Sequence, residues 1–204
     1  MNQEQVPVPS LGRMMVFIDG ENLVLRYQAM LDEGRIPHDD ISHEKDIYVW
    51  RPGTVNPGLN QVIRATYYTY AFGDEKKIRE INEQIKGLIF NQYSDMYALK
   101  ATRHLLNKLY PRVFRKIRGK KAKGVDIQLT VDILTNVYMD NLDTVYLVSG
   151  DGDYKPIIEE AIRHGKHVYV AALPSGLNEE LKYIADNFID LEHIYFEPRK
   201  VMES

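Results

Sequence analysis

The stretch TVYLVSGDGDYKPII, residues 144–158, decides the fold class of this chain. Its first part, Thr144–Val148, is a short apolar run rich in β-branched side chains, which is typical of a strand buried on both faces. The glycines and aspartates that follow indicate a sharp turn. Pro156 then falls in the first turn of an amphipathic helix predicted over Asp153–His164. A buried strand that leads directly into a helix predicts one unit of a parallel α/β sheet.

The same pattern of strand and helix recurs along the rest of the chain. Further strands are predicted at Met14–Ile18, Ala65–Phe72 and His167–Leu173, with short candidates near Phe188–Leu191 and in Arg112–Arg118. Helices are predicted over Glu21–Asp32, Asp74–Ile89, Val125–Tyr138 and Leu177–Asp186. Strands that alternate with helices predict an α/β fold in three layers, with a central parallel sheet between helices.

We expect a single domain over residues 13–197, preceded by a flexible tail at residues 1–12. Residues 34–60 interrupt the alternation with several prolines and glycines. This segment is long for a connection, which favours a functional lid or a mobile insertion.

A basic segment at residues 100–123 is the second interruption. Ten of the 26 Lys and Arg residues lie in it and none of the 29 Asp and Glu residues does, although the net charge is only -3. Such asymmetry indicates a polyanionic partner, or else a solvated loop of biased composition.

Several classes of protein are excluded or disfavoured by what the sequence lacks. The chain has no cysteine, which excludes a disulfide scaffold, a thiolate metal centre and a cysteine nucleophile. Its apolar runs are shorter than the ~18 residues of a spanning helix, and its first residues carry no signal pattern. We therefore expect a soluble cytoplasmic protein without membrane association. Hydrolase elbow, P-loop and dinucleotide-binding motifs are also missing.

Aspartates follow two of the predicted strands directly. Asp19 comes after the first strand, and Asp151 and Asp153 come after Thr144–Val148. Ligands of open parallel sheets bind at the carboxyl ends of the strands, where strand order reverses. Carboxylates that converge there would repel one another, and a divalent cation with oxygen ligands, Mg²⁺ or Mn²⁺, would resolve the repulsion. The alternative is that each aspartate merely caps a helix.

Three further polar residues lie close to these aspartates in the pattern. Asp126 begins a predicted helix directly after the basic segment, where it could join the site or only stabilise the helix terminus. Asn22 lies one helical turn beyond Asp19 and could hold a water, a metal or a phosphate. Ser149 could bind a carboxylate or a phosphate, or could be a small residue in a tight turn.

Three motifs in order resemble the NYN domain, in its LabA-like branch of the PIN-like nuclease group. They are VFIDGEN at 16–22, KGVDIQLTVD at 123–132 and SGDGDYKPII at 149–158. The resemblance implies a PIN-like, Rossmann-like fold with strand order 3-2-1-4-5. It also implies metal-dependent cleavage of RNA. By motif match the acidic site would comprise Asp19, Asp126, Asp151 and Asp153, with Asn22 beside it.

Together these features favour a metal-dependent ribonuclease that uses one or two Mg²⁺ or Mn²⁺ ions, with RNA as its partner. The residues expected to bind the RNA backbone are Ser149, Arg112, Arg115, Arg118, Lys120, Lys121 and Lys123. A catalytically silent RNA-binding or regulatory module and a small phosphate-ester hydrolase are the alternatives. A homodimer or a protein partner is also open.

Overall fold

Parallel strands form the centre of the molecule in the computed structural model, which describes residues 12–90, 108–116 and 124–199. In these ranges the strands are β1 (Arg13–Asp19), β2 (Ser42–Glu44), β3 (Tyr48–Trp50), β4 (Gln61–Ala71), β5 (Tyr110–Arg115), β6 (Thr144–Val148), β7 (His167–Ala172) and β8 (Asn187–Asp190). The helices are α1 (Gly20–Asp32), α2 (Glu75–Lys86), α3 (Gly124–Tyr138), α4 (Lys155–Arg163), α5 (Glu180–Ile184) and α6 (Glu192–Tyr195).

The main sheet runs in the order β5-β4-β1-β6-β7-β8, and every neighbouring pair in it is parallel. Numbered along the chain within this sheet, the order is 3-2-1-4-5-6. The order 3-2-1-4-5 is therefore confirmed, with β8 added at one edge. Strand order reverses between β1 and β6, so a ligand crevice is expected at the carboxyl ends of these two strands.

A hydrophobic core lies on each face of this sheet, so the molecule has three layers. Alternate side chains of β1 explain the division, because Val16 and Ile18 enter one core and Phe17 enters the other. The first core also takes the apolar faces of α1 and α2, and the second takes those of α3 and α4. Both faces of the sheet are covered, which explains the near-continuous apolar strands.

Residues 34–60 differ from the expected lid or mobile insertion. They form the antiparallel pair β2 and β3, and they bury Val49, Trp50 and Val55 in the first core. Trp50 stacks with Phe90 at 6.2 Å between ring centroids. The segment is a packed part of the fold because its apolar side chains cover α1 and the sheet.

The helix predicted over Asp153–His164 is divided in the structure. A single 3-10 turn, Gly152–Tyr154, precedes α4, and Gly165 follows the helix with a φ of 73°, as expected of a helix-ending glycine. Asp74, the first residue of the helix predicted over Asp74–Ile89, is the N-cap of α2, since its side chain accepts a hydrogen bond from the Lys77 amide.

Some expectations lie outside the described residues. These are the N-terminal tail except for its last residue, and most of the basic segment, including Arg118, Lys120, Lys121 and Lys123. Within the described ranges, the helices are too short or too polar to cross a membrane. The cytoplasmic location stays a prediction.

Candidate active site

Asp19 ends β1 and occupies a buried position at the carboxyl edge of the sheet, with 3% of its surface exposed. One carboxylate oxygen accepts a hydrogen bond from the Asn22 amide at 3.0 Å and thereby caps α1. The other accepts one from the Ser149 hydroxyl at 3.1 Å. Asp19 therefore caps a helix and also presents a carboxylate towards the end of β6. The role of helix cap and the role of site carboxylate are compatible in this residue.

Asn22 and Ser149 connect the ends of β1 and β6. The Asn22 side-chain oxygen accepts a hydrogen bond from the Gly150 amide at 3.1 Å. The Ser149 hydroxyl oxygen accepts one from the Asp151 amide at 3.2 Å, in addition to its bond to Asp19. These contacts hold the crevice between the two strands in a fixed geometry.

Asp151 and Asp153 lie in the turn that follows β6. The Asp151 side chain accepts a hydrogen bond from the Asp153 amide at 3.0 Å and caps the 3-10 turn. Asp153 itself is exposed. Gly152 lies between them in close contact with Asn178, and a Cβ there would lie 2.1 Å from the Asn178 side-chain nitrogen, so a larger residue would displace that side chain. The GDGD sequence is therefore explained partly by turn geometry and partly by the carboxylates that it displays.

Asp126 reaches the same edge from the first turn of α3. Its carboxylate accepts a hydrogen bond from the Tyr154 hydroxyl at 3.4 Å, and the same hydroxyl is close enough to Asp19 to lower the pKa of that carboxyl. The α3 terminus is fixed by Tyr70, whose hydroxyl oxygen accepts bonds from the Gly124 and Val125 amides at 3.0 Å each. Buried tyrosines thus position the third chain segment of the site.

The electrostatics show that these carboxylates interact. Burial raises the pKa of Asp19 to about 7, and the charge of Asp126 adds to the shift, while hydrogen bonds from Asn22, Ser149 and Tyr154 oppose it. Burial likewise raises the pKa of Asp126, and the charges of Asp151 and Asp153 raise it further. The site therefore holds like charges close together at an energetic cost.

The four aspartates are not arranged closely enough to hold a metal ion between them. Within the described parts of the chain, no three or more His, Cys, Asp or Glu side chains stand in an arrangement that could hold a metal ion. Their chemistry nevertheless suits a hard divalent cation, since all are carboxylates and two carry raised pKa values. The cation stays a prediction supported by donor type and by mutual repulsion.

Of the residues expected to bind RNA, the structure describes Ser149, Arg112 and Arg115, and it places the two arginines away from Ser149. Ser149 lies inside the site, whereas Arg112 pairs with Asp132 at 3.4 Å on the α3 side of the sheet. Sheet register places Arg112 beside Tyr68, and Tyr68 beside Asp19. Arg112 is therefore two strands, or roughly 10 Å, from Asp19. Arg115 ends β5 and is exposed.

Sequence reasoning missed the roles of Tyr154 and Tyr70 at the site. Tyr70 lies in the strand predicted at Ala65–Phe72 and is buried, but its hydroxyl also fixes the start of α3. Tyr154 directly follows the GDGD sequence, and this position was the signal that could have found it. Burial and the nearby carboxylates raise its pKa, so its hydroxyl stays protonated and donates.

Comparison with known proteins agrees with this architecture. The family model of the NYN domain matches residues 13–192, and the chain belongs to this family, which is part of the PIN-like nuclease superfamily. An uncharacterized protein of Methanocaldococcus jannaschii is 29% identical over 133 residues, which cover 64% of this chain and 52% of that protein. The low amplitude and bright protein LabA of Synechococcus elongatus is 31% identical over 71 residues, which cover 35% of this chain and 37% of LabA.

These curated relatives are matched over only about half and about a third of their own lengths. A solved structure, a protein of unknown function from Vibrio parahaemolyticus, is similar in fold, with a TM-score of 0.54 and 18% identity. The similarity covers 94% of this chain and all of that one, and it shows the fold alone.

Proposed function

We propose that this protein is a ribonuclease that hydrolyses RNA phosphodiester bonds with the help of Mg²⁺ or Mn²⁺. The observation that carries the proposal is that carboxylates from three chain segments lie at the edge of the sheet where strand order reverses, close enough for Asp126 to interact electrostatically with Asp19, Asp151 and Asp153. Membership of a family in the PIN-like nuclease superfamily supports the same class of reaction.

The residues that would hold the cation are Asp19, Asp126, Asp151 and Asp153. When bound, a divalent cation of this kind lowers the pKa of an attacking water and neutralises charge that develops on the phosphate. Its binding would also offset the burial, and the lesser repulsion, that raise the pKa values of Asp19 and Asp126. The energetic cost of burying these carboxylates close together is therefore consistent with a binding role.

The surrounding residues of the chain would orient these carboxylates. Ser149 and the Asn22 amide fix the two oxygens of Asp19, and Tyr154 bonds Asp126. Outer contacts of this kind commonly set the geometry of ligands and tune affinity. The ligand arrangement in this protein would accordingly depend on two hydroxyl groups as well as on four aspartates.

The basic segment at residues 100–123 would bind the RNA backbone. Arg115 and Lys116 lie at the carboxyl end of β5, on the same edge of the sheet as the carboxylates. The residues that follow in the sequence and continue this positive charge would also bind the backbone: Arg118, Lys120, Lys121 and Lys123. Arg112 would contribute less, because it is already paired with Asp132. Binding that depends on such contacts weakens steeply as salt is added.

The direct test is the degradation of labelled single-stranded RNA by rigorously purified protein. We expect cleavage with Mg²⁺ or Mn²⁺, none with EDTA, and loss of cleavage in Asp151→Asn. Asp143→Asn is the matched control, because Asp143 lies at the opposite edge of the sheet beside Arg13. Full cleavage by Asp151→Asn would contradict the proposal.

Two other outcomes would point to the alternatives. RNA that is bound with salt-dependent affinity but never cleaved would indicate a silent RNA-binding module. Hydrolysis of a small phosphate ester without cleavage of RNA, unaffected by neutralising Arg115 and Lys116, would indicate a phosphatase.

A further inference from the structure

A groove of about 360 Å³ lies beside the carboxylates and is not used by the proposed reaction. One wall is formed by α1 and by the turn between β2 and β3, and the other by the ends of β4 and β5. This volume falls within the range of sites that hold small organic groups. The lining side chains that matter here are Glu21, Lys45, Asp46, Tyr70, Phe72 and Lys116.

Two residues that line the groove are close in the chain, or through a hydrogen bond, to the aspartates of the candidate active site. Glu21 lies two residues after Asp19, in the first turn of α1. On the other wall, the Tyr70 hydroxyl bonds the amides of the α3 terminus, two residues before Asp126. A chain bound at the carboxylates could therefore extend into the groove.

The groove is lined by one exposed aromatic ring, that of Phe72. Phe72 directly follows β4, and 54% of its surface is exposed, whereas the aromatic residues of β4 itself are buried. The Lys116 ammonium lies 5.8 Å from the centre of the Phe72 ring and 5.2 Å from that of Tyr70. Exposed aromatic rings beside basic side chains are the usual platform for bases of single-stranded nucleic acids.

The charges of the groove favour an uncharged occupant. Lys45 and Lys116 are balanced by Asp46 and Glu21, and Lys116 already contacts Glu21 at 3.4 Å. A lone phosphate or another free anion would meet as much negative as positive charge there. A flat neutral group with polar edges, such as a nucleobase, fits both the ring and the balance.

Resting on the ribonuclease function proposed above, we propose that the groove is a base-binding subsite. A nucleobase of the single-stranded RNA stacks on Phe72, while the backbone on either side passes towards the carboxylates and the basic segment. Phe72 positions the strand and takes no part in the chemical step. Because stacking accepts any base, the subsite gives affinity for unpaired strands with little preference for sequence.

The test measures binding without cleavage, in an Asp151→Asn background with an oligouridylate of about ten nucleotides labelled for fluorescence anisotropy. Phe72→Ala should weaken binding roughly tenfold and leave the salt dependence unchanged, since a stacking contact releases no counterions. Phe72→Tyr should bind nearly as the parent does, because the ring is kept.

A second measurement reports stacking itself. The chain has a single tryptophan, Trp50, which is buried with 1% exposure, so Phe72→Trp adds an exposed fluorophore. RNA should quench the emission of Phe72→Trp. Tyr138→Trp is the matched control, since Tyr138 is 56% exposed but lies twelve residues along α3 from Asp126, or about 18 Å away. RNA should leave the emission of this control unchanged.

The possible failures are distinguishable. If RNA binds but Phe72→Ala binds as tightly as the parent, or Phe72→Trp is not quenched, the subsite is wrong and the ribonuclease function is untouched. If the parent fails to bind single-stranded RNA at all, the subsite falls together with the proposed function.

Discussion

Aspartates at the two edges of the same parallel sheet have pKa values shifted in opposite directions. At the amino edge, Asp143 receives hydrogen bonds from the Arg13 side chain and amide, and these contacts hold its pKa down at about 2. At the carboxyl edge, burial raises the pKa of Asp19 to about 7, and Asp126 adds to the repulsion. The first arrangement stabilises the fold, and the second costs stability as long as no cation is bound.

This difference indicates which aspartates are structural and which are functional. The amino edge uses an ordinary ion pair that is complete within the chain. The carboxyl edge places its carboxylates where Ser149, Tyr154 and the Asn22 amide orient them without neutralising their charge. Such an arrangement is expected where a partner from solution supplies the opposite charge.

The largest expected effect is on cleavage of RNA. Asp126→Asn should lower the rate of Mn²⁺-dependent cleavage by about 100-fold or more, since several kcal/mol of transition-state stabilisation depend on the cation. Single-turnover assays on labelled RNA measure this loss. Asp143→Asn should cleave at nearly the wild-type rate, and equal losses in both variants would remove the distinction between the edges.

The second effect is on stability. Most substitutions of buried residues destabilise a protein, whereas this one is expected to stabilise it. Asp19→Asn should stabilise the protein by up to about 4 kcal/mol at pH 8 in EDTA, because it removes a buried charge whose pKa is raised from 3.8 to about 7, at ~1.4 kcal/mol for each pH unit. A raised carboxylate pKa costs stability increasingly as pH rises from about 4 to about 7. The gain should therefore shrink towards zero near pH 4.

Urea unfolding across this pH range tests the prediction. A variant that is less stable than the wild type at pH 8 would show that the hydrogen bonds to Asp19 outweigh its buried charge.

The third effect concerns the hydroxyl between two carboxylates. Tyr154→Phe should weaken Mn²⁺ binding roughly tenfold, because Asp126 and Asp19 lose a donor that orients them. Calorimetric titration with Mn²⁺ measures the change. Tyr138→Phe is the control, since it removes a hydroxyl at the far end of α3 that donates to Glu160 of α4, and it should bind Mn²⁺ as the wild type does.

The smallest effect is at the amino edge. Asp143→Asn should destabilise the protein by about 0.5–1 kcal/mol at neutral pH, a modest value because the pair is partly exposed and screened by solvent. The lowered pKa of Asp143 means that its contribution is complete above about pH 4 and is lost as pH falls towards 2. The stability of the variant should accordingly fall less steeply between pH 4 and 2 than that of the wild type.

The sequence predicted most of the sheet because its strands are short apolar runs with clear ends. Thr144–Val148 was placed with correct bounds, and the carboxyl-edge positions of Asp19 and Asp151 followed from the strands that precede them. Residues 34–60 were harder, because β2 and β3 have only three residues each. Their stability comes from packing onto α1 and the sheet, which local sequence does not reveal.

The site was predicted in its acidic members and not in its hydroxyl groups. Asp126 and the GDGD sequence lie in recognisable motifs. Tyr154 and Tyr70, in contrast, resemble core residues in the sequence, and only the fold shows that their hydroxyls lie at the carboxyl edge of the sheet. The ion pair of Arg112 with Asp132 was also not foreseeable, because it joins two elements across the sheet face.

Thermal unfolding of the wild type and of Asp19→Asn, each in EDTA and in increasing Mn²⁺, tests most directly whether the carboxyl edge of the sheet binds a divalent cation. We predict that Asp19→Asn melts higher in EDTA, and that Mn²⁺ raises the wild-type Tm progressively but leaves the variant nearly unchanged. At about 100 times the dissociation constant, the stabilisation of the wild type should approach roughly 2.7 kcal/mol. A wild-type Tm that ignores Mn²⁺, or an equal rise in both proteins, would contradict the claim that the carboxyl edge is built to bind a divalent cation.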